Sequence, residues 1–318
     1  MMKAYTEQVL GNTGCLFLRG SCIPFYRIQE KQWILMDSGS RYVREELTEY
    51  LDAHGIRIRA VLCSHAHYDH TENNRYLQET HGAEVIATAL DAGILSDRTA
   101  LKACFYCYTG KENSFYNKEM LCRADRIILP WESCVSVDEA RFQIIGLPGH
   151  AASHIGFITP DRAVYLADSI FSEKALESKP LFYMLDWGRC LETMEMVRGL
   201  DYPAYIIAHS GIYSEIQTLA EKNLCFFKQQ LMELGELFEG ELPLDLITER
   251  AAAAYGFTSD MYEKVRNFER IVRSVTEYLL EQGVIRRFVK NGVIMYRKAE
   301  DNDDRRRELH GPHVQETI

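Results

Sequence analysis

The chain has 318 residues, of which 47% are hydrophobic and 26% charged, a composition typical of a globular protein. Its formal net charge of −10 at pH 7 argues against a protein that holds nucleic acid by bulk charge. The sequence has no apolar run of the ~18 residues that a membrane-spanning helix needs, and no apolar signal segment at its start. With nine cysteines, an odd number, these features predict free thiols in a cytoplasmic protein without a membrane partner.

The first eighty residues alternate predicted strands and helices. Short β-branched and apolar runs predict strands at residues 15–19, 23–28, 33–37 and 56–63. Ser40 is the predicted cap of a helix with an apolar face, and a second helix is predicted at residues 72–79. This order of elements indicates a layered α/β protein.

The same pattern continues to about residue 214. A hairpin is predicted at residues 136–147, further strands at 156–159, 163–167 and 204–208, and a helix at 190–199. Four predicted strands end at or close before a residue able to bind a metal. These residues are His65, His150, Asp168 and His209. Such regularity favours a metal site at one edge of the fold.

The most specific motif follows the strand at 56–63. His65, His67, Asp69 and His70 form the pattern H-x-H-x-D-H. In an extended turn the first two histidines project the same way, while the last two residues are displaced around the bend. One short loop can therefore serve two neighbouring metal ions. Imidazole nitrogen and carboxylate oxygen suit zinc, and also iron or manganese.

With this motif, residues 10–214 resemble the metallo-β-lactamase-fold hydrolase superfamily. The resemblance implies an α/β fold, an αβ/βα four-layer sandwich with a dinuclear site at one edge. It fills every ligand position: His65, His67 and His150 for the first metal, Asp69, His70 and His209 for the second, and Asp168 bridging the two. It also implies that Asp37 in Asp-Ser-Gly supports the ligands from behind. His154 either supports them too or packs within its own turn.

This ligand set predicts metal-assisted hydrolysis. Two metal ions ~3.5–4 Å apart share a water and lower its pKa towards ~7, which makes hydroxide available at neutral pH. The resemblance gives Asp69 a further role, orienting the nucleophile and passing a proton to the leaving group. Asp69 and Asp168 are therefore the predicted catalytic residues. Two zinc ions are the preferred cofactors, with iron or manganese as alternatives.

Fold and metal site do not choose the substrate. Phe171 stands three residues past Asp168, where quorum-quenching lactonases of the superfamily carry tyrosine, which weakens a lactonase interpretation. We favour a small acyl substrate, a thioester or ester, as in glyoxalase II. A phosphodiesterase or endoribonuclease of the same superfamily is the alternative. A mononuclear iron persulfide dioxygenase is less favoured, because it would use fewer of the seven ligands.

Aromatic residues near the site are candidates for the substrate pocket. They are Tyr106 and Tyr108 in the insert at 96–134, and Phe171, Tyr183 and Trp187 beyond Asp168. The insert region also holds Cys104, Cys107, Cys122 and Cys134, which raise the question of a structural zinc site. Their irregular spacing favours free thiols.

The C-terminal third predicts a separate module. We assign residues 1–214 to the catalytic domain, 215–242 to a helical linker, 243–300 to a small, mainly helical winged-helix-like module and 301–318 to a polar tail. Helices at 231–238, 246–255 and 267–282 precede a hairpin whose turn contains Asn291-Gly292. The module carries a mild basic excess, but acids are interspersed. A role as active-site wall or homodimer contact is therefore favoured over nucleic-acid binding.

Overall fold

The computed structural model describes residues 4–19, 21–104, 111, 118–178 and 181–299. The chain divides into two compact units, Met1–Phe226 and Phe227–Ile318. The described strands are β1 (Tyr5–Leu10), β2 (Thr13–Leu18), β3 (Ser21–Gln29), β4 (Gln32–Met36), β5 (Arg57–Leu62), β6 (Glu84–Thr88), β7 (Arg126–Ile128), β8 (Cys134–Val137), β9 (Ala140–Gly146), β10 (Ile155–Ile158), β11 (Ala163–Tyr165), β12 (Ala204–Ile207), β13 (Gly211–Tyr213), β14 (Leu242–Pro243), β15 (Ile285–Lys290) and β16 (Val293–Lys298).

The helices alternate with these strands. They are α1 (Arg44–His54), α2 (Tyr68–Thr71), α3 (Asn74–His81), α4 (Ala89–Ser96), α5 (Arg98–Cys104), α6 (Glu173–Glu177), α7 (Trp187–Arg198), α8 (Gln217–Glu236), α9 (Leu244–Ala254) and α10 (Tyr262–Glu281), with short 3-10 turns at Arg41–Val43 and Lys118–Met120. Within the described residues, no helix is both long and apolar enough to cross a membrane.

The first unit contains two sheets. In the seven-stranded sheet, β1 to β7 lie in chain order, antiparallel up to β4 and parallel from β4 onward. The change occurs where tight turns give way to helical crossovers, because parallel neighbours need a long connection. The six-stranded sheet has the order β13-β12-β11-β10-β9-β8, and only its β11–β12 pair is parallel. Strand β1 was not predicted, since its mostly exposed, polar sequence lacks an apolar alternation.

Alternating side chains divide the core into layers. Ile34 and Ala60 of the first sheet meet Phe142 and Phe157 of the second in one buried cluster between the sheets. On the opposite face of the first sheet, Leu35 and Val61 share a cluster with the helical residues Leu47 of α1 and Leu77 of α3. Helix α7 buries a face that includes Met194 and Val197. The mixed α/β sandwich expected from the resemblance is therefore confirmed.

Four strand ends lead to the predicted ligands. His65 follows β5, His150 follows β9, Asp168 follows β11 and His209 follows β12. Two non-glycine residues in these regions have positive φ angles, Ala167 (44°) and His209 (61°), and Asp37, which follows β4, has a φ of 65°. Positive φ is uncommon outside glycine and is often found at functional sites. The predicted ligands thus lie in short segments directly after sheet strands, and some of these segments have an uncommon backbone conformation.

The second unit has helices α9 and α10 and a three-stranded sheet in the order β14-β16-β15. Asn291 and Gly292, both with positive φ, form the predicted tight turn between β15 and β16. The predicted helix at 231–238 is wrong in its extent, because these residues lie at the end of the 20-residue α8 or just beyond it. The identification of this unit as a winged helix remains a prediction.

Candidate metal centre

The H-x-H-x-D-H segment builds most of the site. His65 and His67 lie in the loop after β5, and the short helix α2 then turns Asp69 and His70 away from them. His67 Nδ1 lies 3.0 Å from His150 Nε2. One ligand atom from each of His65, His67 and His150 lies within 4.8 Å of the others. These three residues form the first cluster.

A second cluster contains Asp69, His70 and His209, whose ligand atoms also lie within 4.8 Å of one another. His209 Nε2 is 3.2 Å from Asp69 Oδ2, and His70 Nε2 is 4.0 Å from Asp69 Oδ1. The two groups match the two ligand sets that the resemblance implied.

Asp168 joins the two clusters. Its Oδ2 lies 3.3 Å from His150 Nε2 in the first cluster and 3.3 Å from His70 Nε2 in the second. Its Oδ1 is 3.8 Å from His209 Nε2. One carboxylate therefore touches ligands of both groups, which is the position of a bridging ligand.

Electrostatics differ between the clusters. Burial, followed by the neighbouring histidines, lowers the pKa of His65 and His67 well below its usual value, and burial also lowers the pKa of His150. Neutral imidazole is the form that binds a metal. In the second cluster burial opposes the effect, but Asp69 and Asp168 raise the pKa of His209. The carboxylates of Asp69 and Asp168 therefore favour positive charge at the second cluster.

Asp37 supports both clusters from behind. It is 3% exposed, and it accepts hydrogen bonds from Ser64 N (2.7 Å), Ser64 Oγ (2.6 Å), His70 Nδ1 (2.7 Å) and Tyr165 Oη (2.7 Å). Because the Ser64 hydroxyl donates to Asp37, its lone pair accepts from His65 Nδ1 at 2.9 Å. Both histidines thus carry their proton on Nδ1 and present Nε2 to the site.

These residues fit a pair of divalent cations. Among the described residues, His65 Nε2 and His70 Nε2 are buried nitrogens without a hydrogen-bond partner, which a metal would satisfy. A set of three imidazoles beside a set of two imidazoles and a carboxylate, with Asp168 between them, suits zinc, iron or manganese. The donor set does not discriminate among these ions.

Residues 25–209 match the family model of the metallo-beta-lactamase superfamily. The chain belongs to this superfamily. It is therefore a hydrolase of the metallo-beta-lactamase fold, and the predicted family and fold are confirmed. The matched region begins in β3 and ends at His209, so it contains every residue of both clusters.

Similar proteins include a hydroxyacylglutathione hydrolase from Chromohalobacter salexigens, which is 24% identical over 160 residues. That alignment covers 47% of this chain and 51% of the relative, so the chain spans about half the relative's length. Among solved structures, a beta-lactamase domain protein from Burkholderia ambifaria has a TM-score of 0.69 at 16% identity, covering 92% of this chain and 94% of its own. A metallo-beta-lactamase family protein from Thermus thermophilus has a TM-score of 0.64 at 16% identity, covering 87% and 93%.

In this superfamily member, His154 lies behind the ligands. Its Nδ1 donates to the Leu147 carbonyl at 2.9 Å, which leaves Nε2 to accept from the Asp168 backbone N–H at 3.4 Å. Burial lowers the pKa of His154 to about 3, so the ring is neutral. The structure thus favours the supporting role over simple packing within the turn.

The predicted pocket residues occupy different environments. The Tyr183 ring lies 5.8 Å from that of His67 and 5.9 Å from that of His150, beside the first cluster. Phe171 stacks on Phe182 with ring centroids 3.9 Å apart. Trp187 begins α7 and is 1% exposed, a core position. Tyr106 and Tyr108 lie outside the described residues, and the pocket assignment remains a prediction.

Among the described residues, no cysteine belongs to a group of side chains that could hold a metal. Cys122 is buried, with its sulfur 3.9 Å from Asn74 Nδ2, whereas the Cys134 sulfur accepts from Arg141 Nη2 at 3.1 Å. Cys107 lies outside the described residues. The groups that could hold a metal, within the described part, are the histidine–aspartate clusters alone.

Sequence reasoning missed four supporting residues. They are Ser64, Asn73, Asp91 and Tyr165. The Asn73 side-chain amide donates to the carbonyls of Ser38, Gly39 and Ser40, which fixes the loop after Asp37. Asp91 accepts from the Ala66 N–H at 3.1 Å, between His65 and His67. Ser64 and Asn73 adjoin the motif, so position alone could have flagged them, but nothing local marks Asp91 or Tyr165.

Proposed function

We propose that this hydrolase uses two divalent metal ions to cleave a small acyl substrate, a thioester in the first instance and an ester in the second. The observation that carries the proposal is the contact of Asp168 with ligands of both clusters, at 3.3 Å to His150 and 3.3 Å to His70. When bound, two such ions lower the pKa of a shared water and neutralise charge developing on the carbonyl oxygen.

The protein residues have distinct roles in this proposal. The imidazoles of His65, His67 and His150 are neutral, and those of His65 and His150 are also buried, so these three residues would hold the first ion. Asp69 is the more exposed carboxylate, with 28% of its side chain accessible against 11% for Asp168. It is therefore the one that orients the attacking water and accepts its proton.

The low pKa of a thiol leaving group favours a thioester over an ester as the substrate. A thiol has a pKa of about 8.5, so it departs as thiolate near neutral pH without a proton donor. An alcohol leaving group requires protonation, which places a second demand on Asp69. The distant hydroxyacylglutathione hydrolase relative, whose name denotes cleavage of an acylated glutathione, supports the same choice. Zinc is the ion that we propose first, with iron and manganese as alternatives, since the donor set suits all three.

The proposal is tested by turnover on reconstituted protein. The native chain, loaded separately with zinc, iron or manganese, is assayed on an S-acylglutathione, an aryl ester and bis(p-nitrophenyl) phosphate. Asp168→Ala removes the proposed bridging carboxylate. Asp161→Asn is the control, since Asp161 lies between β10 and β11, at the other end of β11 from Asp168, and accepts hydrogen bonds from Asn12 and Thr13. We expect acyl hydrolysis that the first variant loses and the second retains.

Two results would overturn the proposal. Cleavage of the phosphodiester alone would replace the acyl hydrolase by a phosphodiesterase, with the same metal clusters. Acyl hydrolysis at the native rate in Asp168→Ala would show that the bridging position is not catalytic. Elemental analysis of each preparation separates these outcomes from a simple failure to load metal.

A further inference from the structure

A cavity of about 210 Å³ opens beside the second cluster. It lies between the end of β2, the start of β3 and the segment that follows β12. The residues that line it include Tyr5, Phe17, Cys22, His209 and Gly211. Of these residues, only His209 belongs to a ligand cluster.

His209 belongs to both the cavity and the second cluster. It lines the cavity, while its Nε2 lies 3.2 Å from Asp69 Oδ2 and 3.8 Å from Asp168 Oδ1. Its side chain is 42% exposed, whereas the side chain of His70 is 2% exposed. The metal centre therefore has an accessible side, and the cavity lies on it.

The cavity wall is aromatic. Tyr5 and Phe17 stack with ring centroids 5.0 Å apart and planes 13° from parallel. Phe17 pairs directly with Cys22 across β2 and β3, so both side chains project to the same face. Gly211 has a φ of +93°, and a Cβ there would lie 3.8 Å from the Phe17 ring. The Tyr5 and Phe17 rings and the backbone at Gly211 thus form an apolar surface on one side of the cavity.

Charge does not select the occupant. Arg19 and Glu46 both line the cavity, and the Glu46 carboxylate accepts from the Arg19 backbone N–H at 3.0 Å. Their side chains bring opposite charges to the same cavity. Tyr5 is 48% exposed although it is aromatic, so apolar surface remains available to a ligand. Recognition here depends on shape and apolar contact.

We propose that this cavity, named here the acyl cavity, binds the acyl group of the substrate, and that this group is apolar or aromatic with about six to eight carbon atoms. The inference rests on the proposed function. A buried cavity of ~150 Å³ accommodates benzene, so about 210 Å³ accommodates a phenylacetyl or hexanoyl group. A small polar hydroxyacyl group would leave the aromatic wall uncovered.

A series of thioesters tests the acyl cavity. Acetyl, butanoyl, hexanoyl, octanoyl, dodecanoyl and phenylacetyl thioesters with one leaving group are compared on zinc-loaded protein. We expect kcat/KM to rise roughly three- to fourfold per added methylene, as burial of a methylene predicts, up to hexanoyl or octanoyl and then to fall. Phenylacetyl should rank with the best substrates. A flat series, or an optimum at acetyl, would overturn the proposal.

Variants of Phe17 locate the effect. Phe17→Ala enlarges the acyl cavity and should move the optimum to longer chains, while Phe17→Trp should move it to shorter ones. Trp131→Ala is the matched control, because Trp131 is an exposed aromatic residue that does not line the acyl cavity. A uniform loss across all acyl groups in Phe17→Ala would indicate a structural role and contradict the assignment.

Binding of the free acids separates this inference from the proposed function. Calorimetric titration of the zinc-loaded protein with acetate, hexanoate, phenylacetate and dodecanoate needs no turnover. If no thioester is hydrolysed but affinity peaks at hexanoate or phenylacetate and shifts in Phe17→Ala, the proposed reaction fails and the acyl cavity stands. If thioesters are hydrolysed while neither rate nor affinity depends on chain length, the acyl cavity fails and the reaction stands.

Discussion

The two ligand clusters differ in burial and in charge. The first consists of imidazoles, and His65 is fully buried. The second includes the carboxylate of Asp69 and the exposed ring of His209. Burial lowers the pKa of the histidines in the first, whereas the carboxylates overcome burial and raise the pKa of His209 in the second. The second cluster is therefore the more accessible of the two, with the His209 side chain 42% exposed.

The residues that hydrogen-bond to the ligands also differ between the two clusters. The first cluster has Asp91 bound to the Ala66 N–H and Ser64 bound to His65. The second has Asp37 bound directly to His70. Asp37 also holds Ser64, so it is the one carboxylate in the described support that reaches both clusters from behind. Asp168 also contacts residues of both clusters, His150 and His70, but on the side where the ligand atoms lie. Its removal should therefore have the largest effect on activity.

Asp168→Ala should abolish catalysis while leaving the fold intact. This variant lacks the carboxylate that lies 3.3 Å from His150 and 3.3 Å from His70, so metal ions bound at the two clusters would lose the carboxylate that contacts ligands of both. We expect kcat to fall by on the order of 10³-fold, the scale seen when one preorganised electrostatic group is removed. Steady-state kinetics measures this, and circular dichroism should show an intact fold. A fall of less than tenfold would remove Asp168 from the catalytic set.

Asp37→Ala should weaken both clusters together. The change leaves the Ser64 hydroxyl, His70 Nδ1 and the Tyr165 hydroxyl without their buried acceptor. Loss of a buried, hydrogen-bonded charge lowers the free energy of unfolding by about 3–5 kcal/mol. Urea unfolding measures the loss, and elemental analysis should show reduced occupancy of both ions.

Asp161→Asn is again the control for Asp37→Ala. Asp161 also accepts backbone N–H bonds, from Asn12 at 2.6 Å and Thr13 at 2.9 Å. We expect it to lower stability without changing metal content. Equal metal loss in both variants would mean that Asp37 acts through general stability and not through the histidines that it orients.

His150→Ala and His209→Ala should separate the clusters. Each change removes one of three ligands from one cluster, so each should lose one of two metal equivalents, or bind it about 10–100-fold more weakly. His209 is the exposed ligand, and its removal should alter thermal stability less than removal of buried His150. Metal titration monitored by calorimetry checks both. Unchanged stoichiometry in His150→Ala would refute the ligand assignment.

The sequence could name the candidate ligands because four of the seven lie in the single H-x-H-x-D-H segment and the other three lie within four residues of a strand end. The division of the seven residues into two sets came from the resemblance. The parallel pairing of β11 with β12, which brings Asp168 and His209 to the same edge of the six-stranded sheet, is seen only in the structure. The C-terminal helices were less well placed, because their ends have no side-chain cap hydrogen bond to signal them, as at Pro243 and Met261.

The supports could not be predicted because they are distant. Tyr165 donates to Asp37, 128 positions away, and Asp91 reaches Ala66 from the first turn of α4. Thr88 and Asp91 look like an ordinary helix cap in the sequence, and they do form one. Only the three-dimensional structure shows that the Asp91 carboxylate also holds the backbone between two ligands.

The smallest expected effect concerns Asp91, which belongs to the first cluster's support alone. Burial raises the pKa of this carboxyl to about 6, against the opposing hydrogen bonds from Thr88 and Ala66. Between about pH 4 and pH 6 the unfolded chain ionises Asp91 while the folded protein keeps it protonated. The stability gained from the neutral form is therefore complete below pH 4 and is lost as the pH rises through 6. Two pH units correspond to about 3 kcal/mol at most.

Asp91→Asn, which is neutral at every pH, should lack this dependence. Its free energy of unfolding in chelator should rise relative to the native chain by up to about 3 kcal/mol between pH 4 and pH 7. Parallel pH profiles for the two proteins would contradict the argument. Asp91→Asn keeps an oxygen for the Ala66 N–H, whereas Asp91→Ala removes it. Only the alanine variant should therefore bind the first ion more weakly, by about tenfold, since the loop between His65 and His67 then loses its anchor while the second cluster keeps its own.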